Sequence, residues 1–184
     1  MISGPSGSGK TTLLRHLIKD RTLNKRLVKS ISLTTRPKRS GERQGKDYFF
    51  VTKKQFIQKR KAKKILEWTK YLGYYYATPK DFVDEQLNKS KNVLLCLDLR
   101  GVLKIKHLYP RNSVAIFVAP PSLEALEDRI KKRAKTDKEE MQKRLRLAKK
   151  ELRASRRYDY CLVNRDLNAA IKRLKSTILK EATS

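Results

Sequence analysis

The chain has 184 residues, 39% hydrophobic and 35% charged, and its 46 Lys+Arg against 18 Asp+Glu give a formal net charge of +28. That length suits one domain with insertions and a buried core. No apolar run approaches the roughly 20 residues of a membrane-spanning helix and no signal-peptide pattern opens the chain, so a cytoplasmic protein with no membrane partner is expected.

The first predicted strand is short, Met1-Ile2-Ser3, and runs into Gly4-Pro5-Ser6-Gly7-Ser8-Gly9-Lys10-Thr11. This is G-x-x-x-x-G-K-T, the loop that carries a strand into a helix around phosphate oxygens. Glycines let backbone N–H groups turn inward, and the following helix aims its positive end at the same anion. Lys10 suits the β- and γ-phosphates and Thr11 a Mg²⁺ ion. Leu13, Leu14, Leu17 and Ile18 have helical spacing, with the helix ending near residues 20–23. These features imply binding of a nucleoside triphosphate.

Residues 27–33 read as a strand, 34–45 as a polar loop with Arg36, Arg39, Glu42 and Arg43, and 47–51 as a strand. Thr52 is placed to cap a helix through about residue 61. Strands over 65–71 and 74–78 join around Gly73, and Pro79 opens a helix to about residue 88. The apolar run 92–99 ends in Asp98, as a buried parallel strand does when its carboxyl end faces a ligand crevice. A helix follows over 101–109 and another buried strand over 113–118. Ser122 caps a helix to Arg133, and a second helix runs over 136–155. The last strand is 160–163 and the last helix 167–180. Strands alternating with helices predict an α/β doubly wound parallel sheet, with an insertion over about 34–79 that has its own small antiparallel sheet. Cys96 and Cys161 lie in apolar runs and read as small hydrophobes, neither a disulfide framework nor a metal site.

The surplus charge admits two readings. Lys and Arg fill solvent-facing helix positions, or the protein has weak affinity for nucleic acid or another polyanion. The basic stretches, 53–64 and 129–157, carry no nucleic-acid motif and no regular aromatic interleave.

Taken together, the stretch 3–12, the stretch 32–42, Gly45 to Val51, Leu66-Glu67-Trp68, Tyr75-Tyr76, Asp98 before Gly101, residues 119–122 and Tyr158 to Asn164 resemble guanylate kinases from end to end. The resemblance implies phosphoryl transfer from ATP to GMP with Mg²⁺. It implies a P-loop core (1–31, 91–131 and 146–184), an inserted mixed α/β GMP-binding domain (32–90) and a helical lid (132–145). Gly4 to Thr12 and Asn164 are then the ATP-binding residues. Ser32, Glu67, Thr78 and Asp98 match the contacts to guanine, whose N1–H and exocyclic amine suit one carboxylate where adenine offers a lone pair. Arg36, Arg39, Tyr48 and Tyr76 match the groups that hold the GMP phosphate. Arg133 and Arg144 match lid arginines that act with Lys10 on the transferring group. Glu42 and Asp98 are expected near Mg²⁺ through water.

The sequence departs from the family at Cys96, where aspartate is usual, and at Tyr74 and Ala77, where Asn and Gly are usual. It also has Arg100 for Gln and Arg165 for Asp. Strand alternation puts Cys96 and Asp98 on one face, so a functional but slow enzyme is expected, since a thiol serves Mg²⁺ poorly. A competing reading is a guanylate-kinase-like module that binds phosphorylated or polyanionic partners without turnover. An intact Lys10 and Thr11 favour the enzyme. Use of dGMP and oligomeric state are open at this level.

Overall fold

A strand of two residues cannot stand alone, and β1 (Ile2–Ser3) persists because both residues are buried and pair in parallel with β8 (Ile116–Ala119). The Met1 amino group also donates to the Val114 carbonyl at 2.6 Å. The computed structural model describes residues 1–131 and 138–183, and these divide into two units, Met1–Lys25 with Val114–Ser184 and Arg26–Ser113.

In the first unit, β1, β8 and β9 (Tyr160–Val163) form a parallel sheet in the order β1-β8-β9. Helix α1 (Lys10–Lys19) buries Leu13, Leu14 and Leu17. It ends where Asp20 turns extended, accepts from the Thr22 and Leu23 N–H groups and binds Lys175 at 2.7 Å. Helices α5 (Leu123–Lys131) and α6 (Lys138–Arg153) share a core of Leu126, Ile130, Met141 and Ala148. Helix α7 (Leu167–Thr183) closes the unit. Tyr158 and Asp159, from the family-like stretch, serve structure here: Tyr158 donates to Ser3 Oγ, and Asp159 accepts from the Ala115 N–H.

In the second unit, β2 (Leu27–Lys29) pairs in parallel with β7 (Asn92–Leu94). A four-stranded sheet has the order β4-β3-β6-β5, with β3 at Leu33–Thr34, β4 at Phe49–Phe50, β5 at Ile65–Tyr71 and β6 at Tyr74–Pro79. Helix α2 (Lys53–Lys61) opens with a reciprocal Thr52–Gln55 capping box and seats Phe56 against Leu33 and Ala77, with Tyr75 packed beside them. Helices α3 (Lys80–Asn88) and α4 (Leu99–Leu108) complete it. Among the described residues no helix is long and apolar enough to cross a membrane.

Four expectations need correction. The strand expected over 27–33 is two, since β2 joins β7 while β3 joins β4 and β6. Apolar alternation runs through both because each buries a side chain, so the change of partner leaves no trace in the pattern. The small sheet is mixed rather than antiparallel, because β3 and β4 are parallel. The strand expected over 92–99 ends at Leu94, and Asp98 instead caps α4, so pleat alternation no longer relates Cys96 to Asp98. Cys161 is exposed rather than buried: β9 is an edge strand whose alternation turns Leu162 inward and Cys161 and Val163 outward.

Candidate active site

The phosphate-loop stretch folds as its residue types dictate. Gly9 is the N-cap of α1 in the left-handed region (φ 96°), and a Cβ there would stand 2.2 Å from Asn164 Nδ2. At Gly4 a Cβ would meet the Val118 carbonyl oxygen at the same distance. Only glycine serves at either position. Asn164 is buried, and its side-chain amide donates to the Ser8 carbonyl at 2.8 Å. Its own carbonyl accepts from Arg129 at 3.2 Å. It therefore clamps the loop, a role that sequence reasoning, which put it beside a nucleotide, did not foresee. Lys10 folds back to donate to the Gly4 and Pro5 carbonyls at 2.5 and 2.7 Å. The Ser8 hydroxyl is buried without a partner among the described residues, and Thr11 is exposed on the first turn of α1.

In the second unit Glu67 is 6% exposed, and its Oε1 accepts from the Thr78 hydroxyl at 2.6 Å. Burial pushes its carboxyl up to about 7; the Thr78 bond opposes this and the charge of Asp98 adds to it. Asp98 accepts from the Thr69 hydroxyl at 2.6 Å and from the Gly101 N–H at 2.9 Å. Two carboxylates are thus brought together, and one of them is poised near neutrality.

A cationic cluster lies in the same unit. Buried Arg36 donates to both Glu42 oxygens at 2.8 and 3.0 Å and to the Pro37 carbonyl at 2.6 Å. Its guanidinium sits 5.5 Å from the Tyr48 ring centre and 5.8 Å from that of Phe50. Burial works against the Arg36 charge, but Glu42 and Tyr76 outweigh it and hold the group above its ordinary range. Burial likewise opposes the Glu42 charge, and the bonds from Arg36 and the Arg39 N–H overcome it, keeping the carboxyl low. Tyr48 is pushed up to about 12, chiefly by burial, so its hydroxyl remains a donor across the neutral range. Tyr48 and Tyr76 meet edge-on at 6.0 Å. Thr34 and Thr35, not singled out from sequence, pin this loop to Tyr75: both backbone groups of Tyr75 are taken up by them, and Thr34 Oγ1 also accepts from the Arg36 N–H.

The remaining expected residues are placed as follows. Arg39 is exposed and Ser32 is half-buried. Arg144 is engaged by Glu140 one turn away, at 3.0 and 2.5 Å. Arg133 lies outside the described residues. Glu42, expected beside the metal, has its oxygens on Arg36 and the Arg39 N–H. Among the described residues no group of three or more His, Cys, Asp or Glu side chains could hold a metal. A Mg²⁺ ion taken up with a nucleotide needs no such cage, since phosphates and water supply most of its ligands and a hydroxyl such as Thr11 is a hard donor of the right type.

Comparison with known proteins gives one consistent result. The guanylate kinase family profile matches residues 1–181. The guanylate kinase of Caldanaerobacter subterraneus subsp. tengcongensis is 41% identical over 98% of this chain and 86% of that protein. The guanylate kinase of Wolbachia pipientis wMel is 39% identical over 98% and 89%. The crystal structure of guanylate kinase from Anaplasma phagocytophilum superposes with a TM-score of 0.82 at 29% identity, covering all of this chain and 86% of the other.

Proposed function

The chain belongs to the guanylate kinase family, and we propose how its own residues divide the work of that family's ATP:GMP phosphotransfer. The chain is an enzyme, a nucleoside monophosphate kinase that converts ATP and GMP to ADP and GDP.

Residues 4–12 cradle the ATP phosphates, and Lys10 leaves the Gly4 and Pro5 carbonyls for the phosphate oxygens. The buried Ser8 hydroxyl, without a partner among the described residues, supports a loop that is completed by an anion. Mg²⁺ bound with ATP neutralises charge on the phosphates, and Thr11 is the loop side chain that would hold it. In the stretch 32–90, Glu67 accepts from guanine N1–H and the exocyclic amine, with Asp98, Ser32 and Thr78 around the base. Arg36, Arg39, Tyr48 and Tyr76 hold the GMP phosphate, and Glu42 keeps Arg36 aimed. Arg144 with Arg133, in a lid over 132–145, exchanges Glu140 for the transferring phosphoryl group. A cytoplasmic location belongs to this reading. The buried Glu67 carboxyl beside Asp98 carries it: such a group is an unusual expense in a small sheet unless a ligand with two adjacent donors meets it. Coupled ADP formation with ATP plus GMP, AMP, UMP or CMP tests it. Turnover with GMP alone is expected, and equal rates with AMP would end it.

A second reading concerns polyanions, and one observation favours it. A pocket of about 500 Å³ is lined by Arg60, Lys63, Lys104 and Trp68, together with Ile65, Leu66 and the acid Glu67. Trp68 is 42% exposed, and Arg60 lies over its ring at 5.2 Å. Cations beside a partly exposed aromatic ring suit a stacked base and its phosphates. Binding of a labelled oligonucleotide should weaken steeply between low and ~200 mM salt and fall further in Trp68→Ala. No binding even at low salt removes this reading.

A further inference from the structure

Thr69 lies two residues beyond Glu67 on β5, so the two side chains share one side of the sheet. Its hydroxyl reaches 29 residues along the chain to Asp98 Oδ2 at 2.6 Å. The other Asp98 oxygen takes the Gly101 N–H. With a donor on each oxygen, the carboxylate is fixed in rotation as well as in position. Gly101 acts on the second acid by what it lacks. A Cβ there would stand 2.7 Å from Glu67 Oε2, 3.2 Å from its Cδ and 3.3 Å from Leu97 Cβ. Gly101 sits in the first turn of α4 and is absent from the positive-φ glycines, so backbone freedom does not account for it. In a helix glycine is a poorer choice than alanine, which leaves room for the Glu67 carboxylate as its purpose.

We propose that Thr69 and Gly101 are positioning residues of the guanine site, Thr69 setting the Asp98 carboxylate and Gly101 making space for that of Glu67. This rests on Glu67 and Asp98 being the base readers. Neither residue touches the transferring phosphoryl group in this scheme, so their loss acts on capture of GMP. A hydroxyl that bonds a charged group is a strong partner, whereas valine has nearly the same shape and no donor.

The experiment is steady-state kinetics with GMP varied at saturating ATP, together with thermal melting, for the wild type, Thr69→Val, Thr69→Ser and Gly101→Ala. Thr69→Val should raise KM for GMP about tenfold or more, with kcat and KM for ATP within about twofold, and Thr69→Ser should restore KM. Gly101→Ala should raise KM for GMP in the same way. A folded Thr69→Val with unchanged KM overturns the Thr69 assignment, and so does a rise in KM that serine fails to reverse. A Gly101→Ala protein that melts higher with unchanged KM overturns the Gly101 assignment, since alanine would then have improved only the helix. If Thr69→Val does not fold, Thr69→Ala takes its place with the same expected and overturning results. Glu67→Gln run in parallel separates the two levels. If it keeps the preference for GMP, the base-reader assignment falls. If it loses that preference while Thr69→Val changes nothing, only the positioning proposal falls.

Discussion

The phosphate loop and the acid cluster proposed to read the base are built in opposite ways. The loop is a single run, residues 4–11, whose working groups are mostly backbone and whose glycines exclude side chains. The acid cluster gathers Glu67 and Thr69 from β5, Thr78 from β6, and Asp98 and Gly101 from the start of α4. The first kind of site is encoded locally and tolerates little substitution within the run. The second depends on side chains meeting across the fold, and can be retuned by residues that never touch the ligand.

The largest effect expected from this contrast is at Lys10. Lys10→Ala removes the charge that the proposed scheme brings to the transferring group, and kcat should fall on the order of 10²–10³-fold while KM for GMP changes little. Single-turnover rates with ATP check it. A comparable rise in KM for GMP would mean that the two sites do not act separately.

Next comes Glu67→Gln. An amide presents a donor where guanine also presents one, and discrimination of GMP from AMP should collapse from up to roughly 10⁴-fold to within about tenfold. The acid's raised pKa adds a signature in pH. If Glu67 reads guanine as proposed it must be ionised to accept both bonds, so KM for GMP in the wild type should fall as pH rises toward about 7 and then level off. The GMP phosphate also titrates, near pH ~6, and the Gln variant isolates that contribution. Stability moves the other way. The folded state binds this proton more tightly than the unfolded chain does, so between pH 4.5 and about 7 the Glu67 contribution declines as pH rises. Melting temperature against pH, wild type minus Glu67→Gln, should show that downward slope. A flat difference would mean that Glu67 is not the buried acid described.

The same contrast explains what could be read before the fold was known. The loop, α1 and the Thr52 cap were legible because backbone chemistry writes them in short strings. The resemblance supplied Glu67, Asp98 and Arg36 as residues, but not what holds them. Thr69, Thr34 and the space at Gly101 act through contacts 29 to 41 residues away in the chain or through an absent atom, and leave no pattern. The merged strand over 27–33 has the same origin, since a ladder's partner is a fact of tertiary structure.

Even the local site has one remote dependence. Asn164 reaches across 156 residues to hold the Ser8 carbonyl. Asn164→Ala leaves that carbonyl unpaired and opens space beside Gly9, at a cost of about 1–3 kcal/mol in stability. KM for ATP should rise several-fold, with KM for GMP unchanged. Equal changes in both constants would assign Asn164 to general stability.

The smallest expected effect is at Cys96. The residue is half-buried just past β7, and it is among the groups that raise Tyr48, after burial. A thiol offers Mg²⁺ a poor ligand, whereas a carboxylate is a hard donor that orders metal-bound water. Strand register does not put Cys96 beside Asp98. If Cys96 nevertheless faces the metal, Cys96→Asp should raise kcat a few-fold and lower the Mg²⁺ concentration needed for half-maximal rate, leaving KM for GMP nearly unchanged. The opposing physics is desolvation. A carboxylate placed in this unit beside Tyr48 costs stability if nothing pairs with it, and turnover would gain nothing. Titrating Mg²⁺ against kcat for both proteins, with melting curves at each concentration, separates the outcomes. A variant that melts lower in the absence of Mg²⁺ but turns over faster in its presence supports a metal-facing position. A folded variant with unchanged or lower kcat at every Mg²⁺ concentration makes Cys96 a packing residue, and the departure from aspartate then bears on stability and not on rate.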